Sequence, residues 1–346
     1  MTSLFAPLKS TDWAGIESFN ATIAPHVGIK TLWGKEAYDA LRASDVVVFE
    51  RIIYRQEHIV IKWLKSLGKK TFVTFDDGYN LMPLNKIVVD SEKGVLGIQG
   101  NWRGGKKAQN GAGSLMPLFR EGLRMCDGAL VPSKVIQEDW RRFQPNIHYI
   151  PNFLLSSMWG NLSKPPSDII TIGWGGTGHH DTSWKSSGLI PVLGQLCSQY
   201  PRLQIHIQPA YPDIVELFRK YGVRFKTGEW QSVWDWPKTV ASFDIGVIPM
   251  SGSYDDRRSS LKAQELSMLG IPWVATDSPP YQDSQGGLKV NNRTSDWRVA
   301  LERLITDKAL YKTLSEQGRA WATGLNGLCA EYYERAFGFT SSVSGT

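Results

Sequence analysis

Asp244-Ile-Gly-Val-Ile-Pro-Met250, Ser259-Ser-Leu-Lys-Ala-Gln-Glu265 and Gly270-Ile-Pro-Trp-Val-Ala-Thr276 follow one another in the second half of this chain. The first and third are short apolar runs rich in β-branched residues and punctuated by Gly or Pro, so they read as buried strands. Between them a serine pair precedes a helical stretch from about Ser260 to Met268, with Lys262 and Glu265 at i and i+3 on one face. Strand, loop, helix, strand is the grammar of a parallel sheet. A helix N-terminus with a lysine beside it can face a diphosphate, and a carboxylate one turn on can accept from ribose hydroxyls. The unit therefore reads as a cradle for a sugar nucleotide.

The same alternation runs outward from this unit. Downstream, Trp297–Ile305 and Ala309–Ala322 are helical. Upstream, Ile169–Ile172, Leu203–Ile207 and Val223–Phe225 read as strands, with helical Leu189–Tyr200 and Ile214–Tyr221 between them. An earlier series places strands at Val46–Phe49, Thr71–Phe75, Ala129–Val131 and His148–Ile150, with helices at Glu57–Leu67, Leu115–Met125 and Lys134–Phe143. Residues 154–168, with Ser, Gly, Asn and Pro, read as a linker. The expected fold is α/β, two facing Rossmann-like domains with a cleft between them. Residues 1–153 would form the first domain and 169–325 the second, which holds the nucleotide cradle, with a helix at 326–340 packing back on the first.

Strand Ile169–Ile172 runs into Gly173-Trp-Gly-Gly-Thr-Gly-His-His-Asp181. Glycines after a strand permit close backbone approach to a ligand, and their amides can cradle phosphate. The spacing departs from G-x-G-x-x-G, and no acidic residue follows about 20 positions on, which argues against the dinucleotide fingerprint. Gly175, Gly176 and Thr177 are candidate phosphate contacts. His179 or His180 can bond a phosphate or a sugar hydroxyl; the plainer alternative is a pair that caps local backbone groups. No other His or Cys stands at ligand spacing, so zinc is not expected.

For Lys262 and Glu265 the plainer alternative is a surface ion pair worth little. Against it, Arg257 and Arg258 lie immediately upstream, Ser259 and Ser260 are N-cap candidates, and apolar strands bracket the unit. Ser260 and Leu261 then stand at the helix start facing the nucleotide, and Lys262 with Arg258 offsets the charge of a leaving phosphate. In the first domain, Asp76-Asp77-Gly78-Tyr79 ends one strand and Glu50-Arg51 another, where side chains reach a ligand crevice. Asp77 is the candidate site residue there, against a simple Asp-Gly turn. The basic, glycine-rich stretch 99–113, with Arg103, Lys106 and Lys107, reads as a loop that can contact phosphate or acceptor.

Composition is globular, 42% hydrophobic and 21% charged over 346 residues, enough for two cores. The net charge of +6 is uneven: residues 1–150 hold 20 Lys/Arg against 15 Asp/Glu, and the remainder 19 against 18. A basic first half suits an anionic acceptor or merely a basic surface. Cys126, Cys197 and Cys329 are widely spaced, which fits a reducing compartment. The start lacks a charged segment followed by an apolar one and no window resembles a membrane span, so a cytoplasmic location is expected, with peripheral membrane contact left open.

Read together, Ser260, Lys262, Glu265, Gly270 and Pro272 resemble the donor-binding segment of GT-B glycosyltransferases of the retaining, family-4-like class. The run Gly173–Asp181 resembles the glycine loop that opens the donor domain in one branch of that class, with His180 the better match beside Asp181. Cys126–Ser133 and Ile150–Asn152 resemble the last strand region of its acceptor domain and the hinge. The resemblance covers about residues 120–325. It implies that Gly15, in Asp12-Trp-Ala-Gly15, lies on a loop facing the donor phosphates, and that an Asp pair follows the Thr71–Phe75 strand. Many members carry a second glutamate eight positions before the ribose-binding one; here that position is Arg257, so the sugar contact of that carboxylate is absent, replaced by Asp255 or Asp256, or supplied by backbone.

The resemblance implies transfer of a sugar from a UDP-, GDP- or ADP-sugar co-substrate to a hydroxyl on a glycan or surface polymer, with retention. No tightly bound cofactor and no metal are expected, because no Asp-x-Asp motif is present. Hydroxylated bases of DNA are the alternative acceptor, served by the basic first half. An epimerase on the same scaffold and a non-catalytic nucleotide-sugar-binding module are the remaining alternatives.

Overall fold

The computed structural model describes residues 5–8, 35–52, 55–81, 89–90, 95–96, 116–160, 162–164, 166–176 and 180–338. The chain divides into two compact units. The first holds residues 1–153, Arg257–Ser259 and the C-terminal segment from Leu328; the second holds Leu154–Asp256 and Ser260–Gly327.

The first unit contains strands β1 (Phe5–Leu8), β2 (Val46–Glu50), β3 (Lys70–Thr74), β4 (Val89–Asp90), β5 (Val95–Leu96), β6 (Gly128–Val131) and β7 (Ile147–Tyr149). Five of them form a sheet in the order β1-β2-β3-β6-β7, and β4 and β5 pair separately. From β2 to β7 the ladder is parallel, with Val48 opposite Phe72, Val73 opposite Ala129 and Leu130 opposite His148. Helices Arg55–Ser66, Met116–Met125 and Lys134–Trp140 connect these strands. Phe75, Phe119 and Trp140 are fully buried and pack edge-to-face with ring centroids 5.1–5.5 Å apart, a favoured aromatic geometry. Helix Cys329–Phe337 belongs to this unit: Phe337 packs on Phe72 at 4.9 Å and its carbonyl accepts from Lys70 Nζ at 2.7 Å.

β1 departs from the parallel expectation. It runs antiparallel to β2 at the sheet edge, with Phe5 opposite Phe49 and Leu8 opposite Val46. Its carboxyl end therefore lies beside the start of β2, at the end of that strand away from Glu50.

The second unit is built on β8 (Ile170–Gly175), β9 (Leu203–Gln208), β10 (Phe225–Thr227), β11 (Ile245–Ile248), β12 (Trp273–Thr276) and β13 (Gly287–Val290). All are parallel, in the order β10-β9-β8-β11-β12-β13. This is the doubly wound order 3-2-1-4-5-6, and its direction reverses between β8 and β11. One face is covered by helices Leu189–Gln199 and Thr294–Thr306, burying Leu193, Leu196, Trp297 and Leu301 against Ile172, Ile205 and Val247. The other face buries Val240, Phe243, Leu266 and Trp273. Leu154 and Trp159 join that second core, and Ser156–Trp159 is helical, so part of the stretch read as a linker is built into the unit.

Several glycines owe their place to packing. Gly173 lies inside β8 rather than after it, and a Cβ there would stand 2.0 Å from the Phe243 ring. Gly173→Ala is expected to lower stability by about 1–3 kcal/mol, the usual cost of overpacking, read from urea unfolding; an unchanged midpoint would contradict the packing. Gly270 takes a left-handed φ of +67° where helix Leu261–Met268 ends. Its amide bonds Ser267 O and that of Ile271 bonds Leu266 O, a Schellman stop. Gly222 does the same after helix Pro212–Lys220, and Val223 donates back to Phe218 O. That turn is why the strand expected at Val223–Phe225 begins only at Phe225.

His206, on β9, is 8% exposed, and its Nε2 meets Gln208 Oε1 at 2.9 Å while Nδ1 has no partner. Burial, with Lys226 nearby, pushes the imidazole down from 6.5 to about 4, against a smaller opposing effect of Gln208. A base depressed in the folded state is protonated first in the unfolded chain, so stability is present above pH 6.5 and lost as pH falls toward 4. His206→Gln is expected to recover up to roughly 3 kcal/mol at pH 4 and to change little at pH 8, measured by acid unfolding.

Candidate functional site

At a topological switch point the crevice outside the carboxyl ends of the diverging strands is the usual ligand site. In the second unit this crevice is a narrow recess lined by Gly173, Trp174 and Gly175 of β8, Val247 and Ile248 of β11, Trp236, Lys262 and Glu265. Helix Leu261–Met268 starts beside it and carries both charged residues on one face.

Lys262 and Glu265 do not form the isolated surface pair that their spacing also allows. Lys262 Nζ donates to Gly175 O at 2.5 Å and lies 5.3 Å from the Trp174 ring centroid, so one N–H is committed and the ammonium is held over a π face. Glu265 Oε2 accepts from Trp236 Nε1 at 3.3 Å. Burial among apolar side chains raises the Glu265 carboxyl above its ordinary value, opposed by Lys262 and by the indole N–H.

Gly175 is the last residue of β8 rather than the start of a loop. A Cβ on it would stand 2.0 Å from Trp236 Cη2, so its bare Cα serves the indole and not a ligand. A Cβ on Gly176 would meet Trp174 Cζ2 at 2.8 Å, Lys262 Nζ at 2.9 Å and His180 Cδ2 at 3.1 Å, so its bare Cα makes room for a second indole and for two polar side chains. His180 is 3% exposed and sits edge-on to Trp174 with centroids 5.6 Å apart, just before helix Asp181–Ser186. Thus Gly175, Gly176, His180, Lys262 and Glu265 converge, with Trp174 and Trp236 as walls. Thr177, His179, Gly15 and the glycine-rich stretch 99–113 lie outside the described residues.

Ser260 occupies the N-cap position without a side-chain cap bond. Its hydroxyl instead accepts from Gln264 Nε2 at 2.9 Å, so it does not act as the helix cap the sequence suggested. Leu261 follows as the first helical residue, half-buried. Asp255, one candidate replacement for the missing glutamate, is buried and accepts from Ser183 Oγ at 2.5 Å and the Ser251 amide at 2.8 Å, which ties its own turn to helix Asp181–Ser186.

The first unit carries a separate charged group. Arg258 lies 3.7 Å from Asp77, and both are mostly buried, with side-chain exposures of 18% and 17%. Arg257 makes a bidentate pair with Asp139 at 2.5 and 3.3 Å, and Gly78 gives its side chain passage. Glu50 meets Arg51 at 2.6 Å, and burial raises the Glu50 carboxyl. Arg51 holds a left-handed φ of 53°, and Tyr79 donates to Asp76 at 2.8 Å. Asp76-Asp77 is therefore more than a turn, since each carboxylate has a side-chain partner across its own unit.

Trp236 is the residue that sequence reasoning missed. The signal was there: three tryptophans, Trp230, Trp234 and Trp236, crowd a polar loop after β10, two of them exposed at 61% and 55%. Among the described residues no group of three or more His, Cys, Asp or Glu is placed to hold a metal, and no helix is long and apolar enough to cross a membrane.

No protein-family model matches the chain, and no curated protein matches it. Solved structures do share its fold. Anabaena HepE, solved with UDP-glucose, is 11% identical with a TM-score of 0.59, over 87% of this chain and 81% of that one. Sucrose-phosphate synthase from Thermosynechococcus elongatus is 14% identical with a TM-score of 0.57, over 89% and 78%. A Listeria monocytogenes structure assigned as a UDP-N-acetylglucosamine 2-epimerase is 10% identical with a TM-score of 0.52, over 96% and 82%. At such identities the likeness speaks for the fold: two Rossmann-like α/β units of the GT-B type.

Proposed function

We propose that this protein is a glycosyltransferase that takes a sugar from a nucleotide-sugar donor and moves it to a hydroxyl on a glycan or polymer. The observation that carries this reading is the convergence of Lys262, Glu265, Gly176 and His180 at the switch point of the second sheet. There the ammonium and the start of helix Leu261–Met268 receive the diphosphate, Glu265 accepts from ribose hydroxyls, and His180 bonds phosphate or sugar. As the glycosidic bond breaks, charge develops on the diphosphate, and Lys262 stabilises it. The leaving phosphate can take the acceptor proton itself, so retention by front-face attack needs no separate side-chain base. Arg258 and Asp77, in the first unit, are proposed as leaving-group and acceptor contacts, and a family-4-like, metal-independent, cytoplasmic enzyme is the form this takes. The likeness to proteins solved or named with UDP-sugars supports UDP first among the donors to be tried.

The test is calorimetric titration with UDP-glucose, UDP-N-acetylglucosamine, GDP-mannose and ADP-glucose, followed by mass spectrometry of glycan and hydroxymethylated-DNA acceptors. Binding of one donor and a mass gain on glycan supports the reading. A mass gain on DNA alone moves the acceptor to a base, and the absence of any donor binding leaves a GT-B fold without this activity. The fold shared with an epimerase supports a second reading, which predicts interconversion of a UDP-sugar with no acceptor present.

A further inference from the structure

We propose that Trp236 is a positioning residue that aims Glu265 at the ribose, and so sets a preference for ribonucleotide over 2′-deoxyribonucleotide donors. The inference rests on the donor-binding reading above and adds to it a residue and a specificity.

The contacts form a closed circuit. The Trp236 indole packs where a Cβ of Gly175 would be, its Nε1 donates to Glu265 Oε2, and Lys262, one turn from Glu265, donates to Gly175 O. Around the carboxylate the recess is otherwise apolar, with Val240, Phe243, Val247, Ile248 and Leu266. A glutamate's terminal torsion is broad and roughly two-fold, so an unrestrained carboxylate in such a recess has no fixed plane. One N–H from a ring wedged against β8 supplies that plane. With Oε2 held by the indole, Oε1 and the remaining lone pairs are directed to a ligand hydroxyl. Lys262 is the one charged group that influences the carboxyl; helix Trp236–Val240 carries Lys238, which pairs with Asp235 at 3.1 Å, and β8 and β11 carry no charged side chain. Removing the indole N–H therefore also takes away one of two influences that keep the carboxyl ionised.

The parent protein and Trp236→Phe, both as the full chain, would be titrated with UDP, GDP and ADP and with their 2′-deoxy counterparts, at pH values from about 5 to 8. Phe keeps the ring and loses the donor. The parent should prefer the ribonucleotide by roughly 10- to 100-fold, the value of one hydrogen bond to a charged acceptor. Trp236→Phe should reduce that preference to about threefold or less and move the pH of half-maximal binding upward. Trp236→His, which keeps an N–H at the ring edge, should restore part of the preference; Gly175→Ala, which displaces the indole without removing it, should lose it as Phe does and serves if Phe does not fold. A ribose preference and pH profile unchanged in Trp236→Phe overturns the inference alone. A parent that binds none of the three nucleotides overturns the donor reading and this inference with it.

Discussion

Lys262→Met is expected to slow sugar transfer by roughly 10²–10³-fold while leaving the fold intact, the effect of removing one preorganised donor from a developing charge. The ammonium is already in place before ligand arrives. It is fixed by Gly175 O and the Trp174 face, at the carboxyl end of β8 and beside Gly176. A group held in advance costs no reorganisation when the diphosphate leaves, which is why its contribution falls on the rate more than on binding. Met keeps the length and apolar stem, so the bond to Gly175 is the local loss, worth about 1–3 kcal/mol of stability. Single-turnover nucleotide release separates the two: the rate should collapse at saturating donor. A rate within threefold of the parent would take Lys262 away from the phosphate.

Glu265→Gln should weaken donor binding by roughly 10²-fold, because two hydroxyl bonds to a carboxylate become bonds to a neutral amide. The same change should not destabilise the free protein at neutral pH. Glu265 is raised in the folded state, chiefly by burial, so between its unfolded and folded values the folded chain holds the extra proton. Stability therefore falls as pH rises through that interval, and the ionised carboxylate is a cost above it. Gln removes the cost and the pH dependence together. Donor affinity in the parent should fall as pH drops through the raised value, whereas Glu265→Gln should bind weakly and evenly across the range. Calorimetry with the best donor, beside urea unfolding at the same pH values, reads both; a variant less stable than the parent and equally tight for donor would refute the argument.

Lys262 and Glu265 were visible because both lie in one helical turn, and the 3.6-residue period alone puts them on one face. Strands β8, β9, β11 and β12 were visible because parallel strands buried on both faces are continuous apolar runs. Reading failed where a contact closes over a long loop. Trp236 reaches Glu265 across 29 residues, and Arg257 reaches Asp139 across 118. The glycines show the same limit: Gly173 and Gly175 looked like ligand-facing backbone, yet they accommodate Phe243 and Trp236. A glycine reports that something comes close, and the sequence does not say whether that is a phosphate or an aromatic ring.

By itself, then, the sequence determined the α/β class and the charged face of one helix, because both depend on local period and hydrophobicity. Only the tertiary structure decided the order β10-β9-β8-β11-β12-β13, the reversed edge strand β1 and the indole that holds Glu265. Those depend on which surfaces meet, and side chains distant along the chain choose their partners by shape and burial, which no local pattern encodes.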